Sequence, residues 1–166
     1  RQAALAGATS VIVQGNVAVI PVYGMLIPRA SLFAEMSGAT SAESISNKLR
    51  AALADPNVRR IVLDIDSPGG LVGGIPEAGT AIRAAAAEKP VIAVANHLAA
   101  SAAYWLGSQA TELMVTPSAE VGSIGVIQAH KNLSRALDAA GVDMTVMRSA
   151  RFKGEGNAFE PLSEDA

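Results

Sequence analysis

The sequence contains no cysteine and only two histidines, His97 and His130. The absence of cysteine excludes disulfides, thiolate catalysis and cysteine-ligated zinc, and two scattered histidines make a poor metal site. We therefore expect no metal and no other cofactor. The net charge of −2 and the lack of a basic stripe argue against nucleic-acid binding. No apolar run approaches the roughly 20 residues that cross a bilayer.

Half of the 166 residues are apolar, although only 4% are aromatic. This length can bury a core without disulfides, and it predicts a single domain over 1–166 with an irregular tail over 150–166. The sequence begins at Arg1 and ends at "EPLSEDA". We interpret it as a fragment that was trimmed at both ends.

Strand-like and helical segments alternate with a period of roughly 30 residues, which predicts βαβ units, a mainly parallel sheet and an α/β fold. The predicted helices are 40–56 (with Thr40 and Glu43 as a capping box), 76–88, 99–108 and 132–141. The predicted extended segments are a hairpin over 10–24 around Gly15-Asn16, and strands or extended chain over 59–66, 90–96, 112–115, 121–128 and 142–148. We read 25–39 as a loop and 67–74 as a glycine-rich turn.

Two predicted strands end in unusual sequences, and ligands of such folds bind beyond the carboxyl ends of strands. The first strand is followed by Ser67-Pro68-Gly69-Gly70. Consecutive glycines let a ligand approach the backbone amides, so this segment could supply half of an oxyanion hole. A tight turn between a strand and a helix explains the same residues equally well.

The second strand leads into "NHLAASAAYWLGS", where Ser101 stands near the predicted start of a helix. Amides at a helix N-terminus favour developing negative charge, so Ser101 could be a nucleophile with the amide of Ala102 as an oxyanion donor. A helix cap or a small-residue packing contact is the alternative for Ser101.

A serine nucleophile needs a base, and the candidates are two histidines and a lysine. His97 is only four residues before Ser101, and the setting of His130 resembles an exposed helix entry. Of the four lysines, three have solvent-facing explanations: Lys48, Lys89 and Lys131. Lys153 follows the last predicted strand, where no pattern calls for a charge. Lys153 is therefore a candidate base, although a lone lysine is more often a solvated side chain. Lysine amines are ordinarily protonated at neutral pH, and burial in an apolar site would favour the neutral form.

Taken together, four ordered motifs resemble the signal peptide peptidase A family of serine proteases, and most of all its phage head-maturation members. The motifs are "DIDSPGG" (64–70), "AASAAYWL" (99–106), "VGSIGV" (121–126) and "RFKGEGNAFEPL" (151–162). The resemblance runs from about Val17 to Leu162. It implies the fold shared by Clp protease and crotonase.

The resemblance also implies a Ser101–Lys153 dyad that hydrolyses peptide bonds through an acyl-enzyme. It implies an oxyanion hole made by Gly70, with Gly69 beside it, and by Ala102, and it makes Ser123 the residue that orients the lysine. A Clp-type triad is not indicated, because no histidine stands in "GSIGV". Alanines at 102 and 103 replace the family's commoner glycines.

The implied substrates are phage scaffold, portal or coat proteins, cleaved in the procapsid in the cytoplasm by a homo-oligomeric ring. In such a ring, the two residues of the dyad could come from different subunits. Three alternatives remain: a membrane-associated cellular peptidase that degrades signal peptides, a crotonase-like acyl-CoA enzyme with a carboxylate base, and a non-catalytic assembly protein.

Two carboxylates, Asp64 and Asp66, lie at alternate positions of one predicted strand and so point the same way. A metal site is conceivable there, but we expect Asp66 to fix the following turn through backbone hydrogen bonds.

Overall fold

A mainly parallel sheet of seven strands organises the computed structural model, which describes residues 11–30 and 36–164. In chain order the strands are β1 (Ile12–Gln14), β2 (Val17–Ile27), β3 (Thr40–Ser41), β4 (Arg60–Gly70), β5 (Val91–Ala100), β6 (Glu112–Val115) and β7 (Glu120–Gly122). The helices are α1 (Ala42–Ala54), α2 (Ile75–Glu88), α3 (Ala102–Gly107) and α4 (Ser134–Ala139). These strands and helices confirm the predicted α/β class.

The sheet has the order β1-β2-β4-β5-β6, with β3 paired to β2 and β7 paired to β5. All pairs are parallel except β1 with β2, the predicted hairpin around Gly15-Asn16. Alternate residues of β4, namely Ile61, Leu63 and Ile65, are fully buried. They join the apolar residues of α1 and α2 in one core, which fixes the register of each strand. The carboxyl ends of β4 and β5 therefore lie side by side.

Several predicted boundaries are wrong in ways that have physical reasons. The helix over 40–56 begins at Ala42, because Ser41 and not Thr40 caps it: the Ser41 side chain accepts from the Ser44 amide. The Thr40 hydroxyl instead bonds the Tyr23 backbone. β2 continues to Ile27, into the predicted loop, and residues 31–35 of that loop lie outside the described residues.

The glycine-rich segment differs from its prediction as a turn, since residues 67–70 are the last part of β4. Pairing with β2 continues through Met25–Gly69 and Leu26–Gly70, after a bulge between Tyr23 and Met25. A glycine-rich segment whose sequence predicts a turn can instead continue a strand when a neighbouring strand supplies hydrogen bonds.

The chain divides into two compact units between Val126 and Ile127. In the described part of the second unit, α4 and a series of turns carry no fully buried side chain. The predicted strand over 142–148 does not form, and Met147 is 92% exposed. Alternation of apolar residues is not sufficient for a strand, because its backbone groups need a paired neighbour. None of the helices in the described ranges is long and apolar enough to cross a membrane.

A polar network joins three strands on the sheet face opposite the core. The carboxylate of Asp64 on β4 accepts hydrogen bonds from the Tyr23 hydroxyl on β2 and from the Asn96 side-chain amide on β5. Burial, followed by the bond to Asp64, raises the pKa of Tyr23 to about 12. The folded state thus favours the neutral phenol.

This network leads to a prediction for Tyr23→Phe. Because the folded pKa of Tyr23 lies above its unfolded value near 10, its contribution is complete below pH 10 and is lost as the pH rises toward 12. We expect the free energy of unfolding at pH 7 to fall by about 1 kcal/mol, allowing for solvent screening of a partly exposed group. Urea unfolding followed by Trp105 fluorescence measures this free energy for the wild type and the variant. The wild-type and variant values should converge between pH 10 and 12, and a constant difference would contradict the assignment.

Candidate active site

Ser101 is the single residue between β5 and α3, and its backbone is strained. It has φ 53° and ψ −122°, a region that residues with a side chain rarely occupy. Its amide donates to the Gly122 carbonyl at 2.8 Å, and its carbonyl accepts from the Trp105 amide at 3.0 Å. The alternative reading of Ser101 as a helix cap is only half right, since it occupies the cap position but its side chain makes no capping hydrogen bond.

The backbone at Gly69 lies directly against this serine. A Cβ placed on Gly69 would be 2.8 Å from the Ser101 Cβ and 2.9 Å from the Ala102 nitrogen. Its φ of 90° also favours glycine. The end of β4 and the start of α3 can therefore approach this closely only without a side chain at 69.

The two glycine amides point in different directions. The Gly69 amide donates to the Ser67 hydroxyl oxygen at 3.1 Å, so it is already occupied. Gly70 pairs with Leu26, and the following amide, that of Leu71, donates to the Leu26 carbonyl at 2.9 Å. In a parallel ladder the facing residue directs its own amide to the opposite edge. The Gly70 amide is thus directed away from β2 and toward the side of β4 that carries β5.

Ser67 is a site residue that the sequence interpretation missed. It is completely buried, and its hydroxyl donates to the Gly24 carbonyl at 2.6 Å. We predicted that Asp66 would fix this turn, but Asp66 is exposed and makes no such bond in the described structure. The available signal was a serine two residues before a glycine, a spacing typical of side chains that bond their own backbone.

Ser123 is brought close to Ser101 by strand pairing. Ala100 at the end of β5 stands opposite Gly122 at the end of β7, so the residues that directly follow the two strands are Ser101 and Ser123. Ser123 has φ 53°, and these two serines are the non-glycine residues with positive φ in the described ranges. Two strained serines thus lie at one corner of the sheet.

Lys153 belongs to the second unit. It stands in consecutive turns in which the Lys153 amide donates to the Ala150 carbonyl. The Asn157 side chain bonds the Gly154 carbonyl and the Glu160 carboxylate, and Glu160 also pairs with Arg148. These bonds give the segment around Lys153 a defined shape. The lysine side chain itself is exposed.

The other candidate bases have different surroundings. His97 is exposed on β5, and His130 makes a 2.7 Å hydrogen bond between its Nε2 and the Asn157 carbonyl. The solvent-facing interpretation of Lys89 is wrong, because its ammonium donates to the carbonyls of Ala52 and Asp55 at the end of α1.

The conceivable metal site at Asp64 and Asp66 gains no support. Asp64 is engaged by Tyr23 and Asn96, as described above. Within residues 11–30 and 36–164, no group of three or more histidine, aspartate or glutamate side chains is placed to hold a metal ion.

A cavity of about 390 Å³ opens near the first turns of α1 and α2. It is lined by Pro28, Arg29, Ala42, Glu43, Ser46, Gly73, Gly74 and Glu77. None of the predicted site residues contributes to this cavity, so we do not include it in the site.

The sequence is similar to phage and bacterial proteins, two of which are named proteases. The capsid assembly protease C of Escherichia phage lambda is 39% identical over 153 residues, which are 92% of this chain and 35% of the relative. The head-tail preconnector protein GP5 of Enterobacteria phage P21 is 40% identical over 150 residues, 90% of this chain and 30% of the relative. Protease 4 of Salmonella typhi is 34% identical over 129 residues, 77% of this chain and 20% of that protein. The chain therefore spans a third or less of the length of most of these relatives.

Solved structures share the fold. An enoyl-CoA hydratase/isomerase family member superposes with a TM-score of 0.54 at 16% identity, covering 81% of this chain and 52% of that one. A membrane-bound stomatin-specific protease does so with a TM-score of 0.51 at 17% identity, covering 73% and 53%. Identities this low show the fold alone, and they confirm the predicted Clp/crotonase-like architecture.

The model of peptidase family S49 matches residues 83–166. That range contains Ser101, Ser123 and Lys153, while Gly69 and Gly70 precede it. The match to more than half of the chain, together with the phage and bacterial relatives, shows that this chain belongs to peptidase family S49.

Proposed function

We propose that this chain is a serine endopeptidase and that Ser101 is its nucleophile. The observation that carries the proposal is the strained backbone of Ser101, held between β5 and α3 and packed against Gly69. Backbone strain of this kind persists where surrounding structure imposes it, and it is concentrated at active sites. Here it presents a hydroxyl that makes no capping bond at the carboxyl edge of a parallel sheet.

The proposed oxyanion hole consists of the amides of Gly70 and Ala102. The direction of the Gly70 amide supports this role, and the contact between Gly69 and Ala102 brings the two backbones together. We assign Gly69 a different role from Gly70: its missing side chain allows the close approach, while its amide bonds Ser67. One donor of this kind typically contributes about 3 kcal/mol to transition-state stabilisation.

The proposed base is Lys153. Its uncharged amine takes the proton of the Ser101 hydroxyl as the Oγ–C bond forms, and the resulting ammonium protonates the amine that leaves as the C–N bond breaks. Water then hydrolyses the acyl-enzyme by the same proton transfers. Ser123, beside Ser101, would accept a hydrogen bond from the lysine and orient it. The order of the four motifs and the range of the family match support this assignment.

A neutral lysine requires removal from water, and Lys153 is exposed in the single chain. We therefore propose that bound substrate or a neighbouring copy in a homo-oligomeric ring encloses the amine. The proposed substrates are proteins of an assembling phage head inside the procapsid, because two relatives are a capsid assembly protease and a head-tail preconnector protein. The bacterial Protease 4 relative keeps a cellular peptidase as the second candidate.

The test is the substitution Lys153→Ala. We expect casein cleavage and fluorophosphonate labelling of Ser101 to fall by at least about 10³-fold, because the serine loses its base.

The matched control is Lys131→Ala, which removes another exposed lysine of the second unit and should leave the rate unchanged. If Lys153→Ala retained labelling and cleavage within threefold of the wild type, the base would be another group, and His97 and His130 would be tested next.

A further inference from the structure

We propose that Ser67 is a positioning residue that holds the oxyanion hole in its productive shape; this inference rests on the proposed function. The serine is wholly buried at the carboxyl end of β4 and does not reach the surface where a substrate would bind. It acts through the Gly69–Gly70 backbone. Sequence motifs alone did not assign it any role.

The Ser67 hydroxyl uses both of its hydrogen-bonding capacities within the fold. It donates to the Gly24 carbonyl at 2.6 Å and accepts from the Gly69 amide at 3.1 Å. Because a hydroxyl can do both at once, it connects a carbonyl of β2 to an amide two residues along its own strand. No other side chain in the described structure bonds the Gly69 amide.

The Gly24 carbonyl is available because β2 is irregular at this point. The register between β2 and β4 shifts between Tyr23 and Met25, and Gly24 has φ 61°. A Cβ on Gly24 would be 2.5 Å from the Gly38 carbonyl oxygen, so the bulge is packed against a neighbouring segment. Bulges of this kind redirect backbone groups next to active sites.

The Ser67 hydroxyl determines which glycine amide is left to face the substrate. The bond from the Gly69 amide to Ser67 fixes the Pro68–Gly69 peptide, which stands immediately before the peptide that carries the Gly70 amide. With Gly69 anchored on this side, the following Gly69–Gly70 peptide is held with its Gly70 amide directed away from β2. Without the Ser67 hydroxyl, the flexible diglycine could rotate, and the Gly70 amide would lose its fixed direction. Preorganised donors contribute more to catalysis than donors that must reorient.

The experiment compares binding of a charged, tetrahedral adduct with binding of an uncharged peptide. A peptide aldehyde, built on a casein sequence that the wild type cleaves, adds to the Ser101 Oγ. The Oγ proton passes to the base, and the aldehyde oxygen becomes the oxyanion. For Ser67→Ala we expect aldehyde affinity and kcat to fall about 100-fold, with KM unchanged within threefold. The parent peptide should bind Ser101→Ala and the Ser67→Ala/Ser101→Ala double variant equally within threefold.

Two further variants separate positioning from general destabilisation. Val58→Ala removes buried volume just before the start of β4, at the end of the strand opposite to Ser67, and it should lower the melting temperature without weakening aldehyde binding. Ser67→Cys keeps a weaker donor and acceptor in place and should restore part of the affinity. It also decides the question if Ser67→Ala does not fold.

The proposal is overturned if folded Ser67→Ala or Ser67→Cys binds the aldehyde as the wild type does. It is also overturned if aldehyde and parent peptide lose affinity equally, since that result would indicate a general structural role. Failure of the proposed function gives a different result, in which the wild type forms no aldehyde adduct or Ser101→Ala still hydrolyses peptides.

Discussion

The substitution Ser101→Ala should abolish peptide hydrolysis, with a loss of at least about 10⁴-fold, and leave the fold intact. The loss follows because no other group can form the acyl-enzyme once the hydroxyl is absent. The fold should tolerate the change because the Ser101 side chain makes no capping bond, and its structural hydrogen bonds come from the backbone. Alanine would bear the same strain at φ 53°, so the free energy of unfolding should change by less than about 0.5 kcal/mol.

Cleavage of casein and thermal unfolding by circular dichroism measure the two quantities. Ser108→Ala is the matched control, since it makes the same chemical change at the other end of α3 and removes only a bond to the Trp105 carbonyl and one from the Gln109 side-chain amide. We expect this control to keep full activity. Wild-type rates of proteolysis in folded Ser101→Ala would show that the nucleophile lies elsewhere.

The second large effect is expected for Gly69→Ala. An added Cβ would lie 2.8 Å from both the Ala100 carbonyl oxygen and the Ser101 Cβ, distances that force the backbone to move. A displacement of about 1 Å typically reduces rates 10²-fold, and disturbance of an oxyanion donor adds a further factor. We expect kcat to fall by about 10³-fold or more. The positive φ should also lower the free energy of unfolding by about 1–3 kcal/mol.

Gly15→Ala is the control that isolates the contact from the strain. Gly15 has φ 61°, but a Cβ there would meet nothing within 4 Å. We expect a modest loss of thermal stability and unchanged kcat. If Gly69→Ala and Gly15→Ala had the same effect on kcat, the close approach of Gly69 to Ser101 would have no catalytic importance.

The different assignments of Gly69 and Gly70 show where motif-based interpretation reached its limit. The motif predicted that both glycines contribute to the oxyanion hole, with Gly70 foremost. The structure directs the Gly69 amide to a buried hydroxyl and leaves the Gly70 amide facing the opposite edge. The direction of an amide depends on how a strand pairs with its neighbours, and that information is not contained in the four letters SPGG.

Local sequence determined a large part of this protein. The alternation of strands and helices, the hairpin at Gly15-Asn16 and the candidate nucleophile Ser101 all follow from residue pattern, and four ordered motifs led to the family. These features depend on contacts within a few residues or on the kinds of side chain present. Thr40 is an exception, because its sequence context predicts a helix cap but its hydroxyl bonds the backbone of Tyr23, 17 residues earlier in the sequence.

Tertiary structure decided everything that depends on neighbours distant in sequence. It extended β4 through Ser67-Pro68-Gly69-Gly70, left 142–148 without a strand partner, and joined Ser67 to Gly24 across 43 residues. It also placed Ser123 beside Ser101. The physical reason is that backbone amides and buried hydroxyls must find hydrogen-bond partners, and only the folded arrangement of strands determines which partners are within reach.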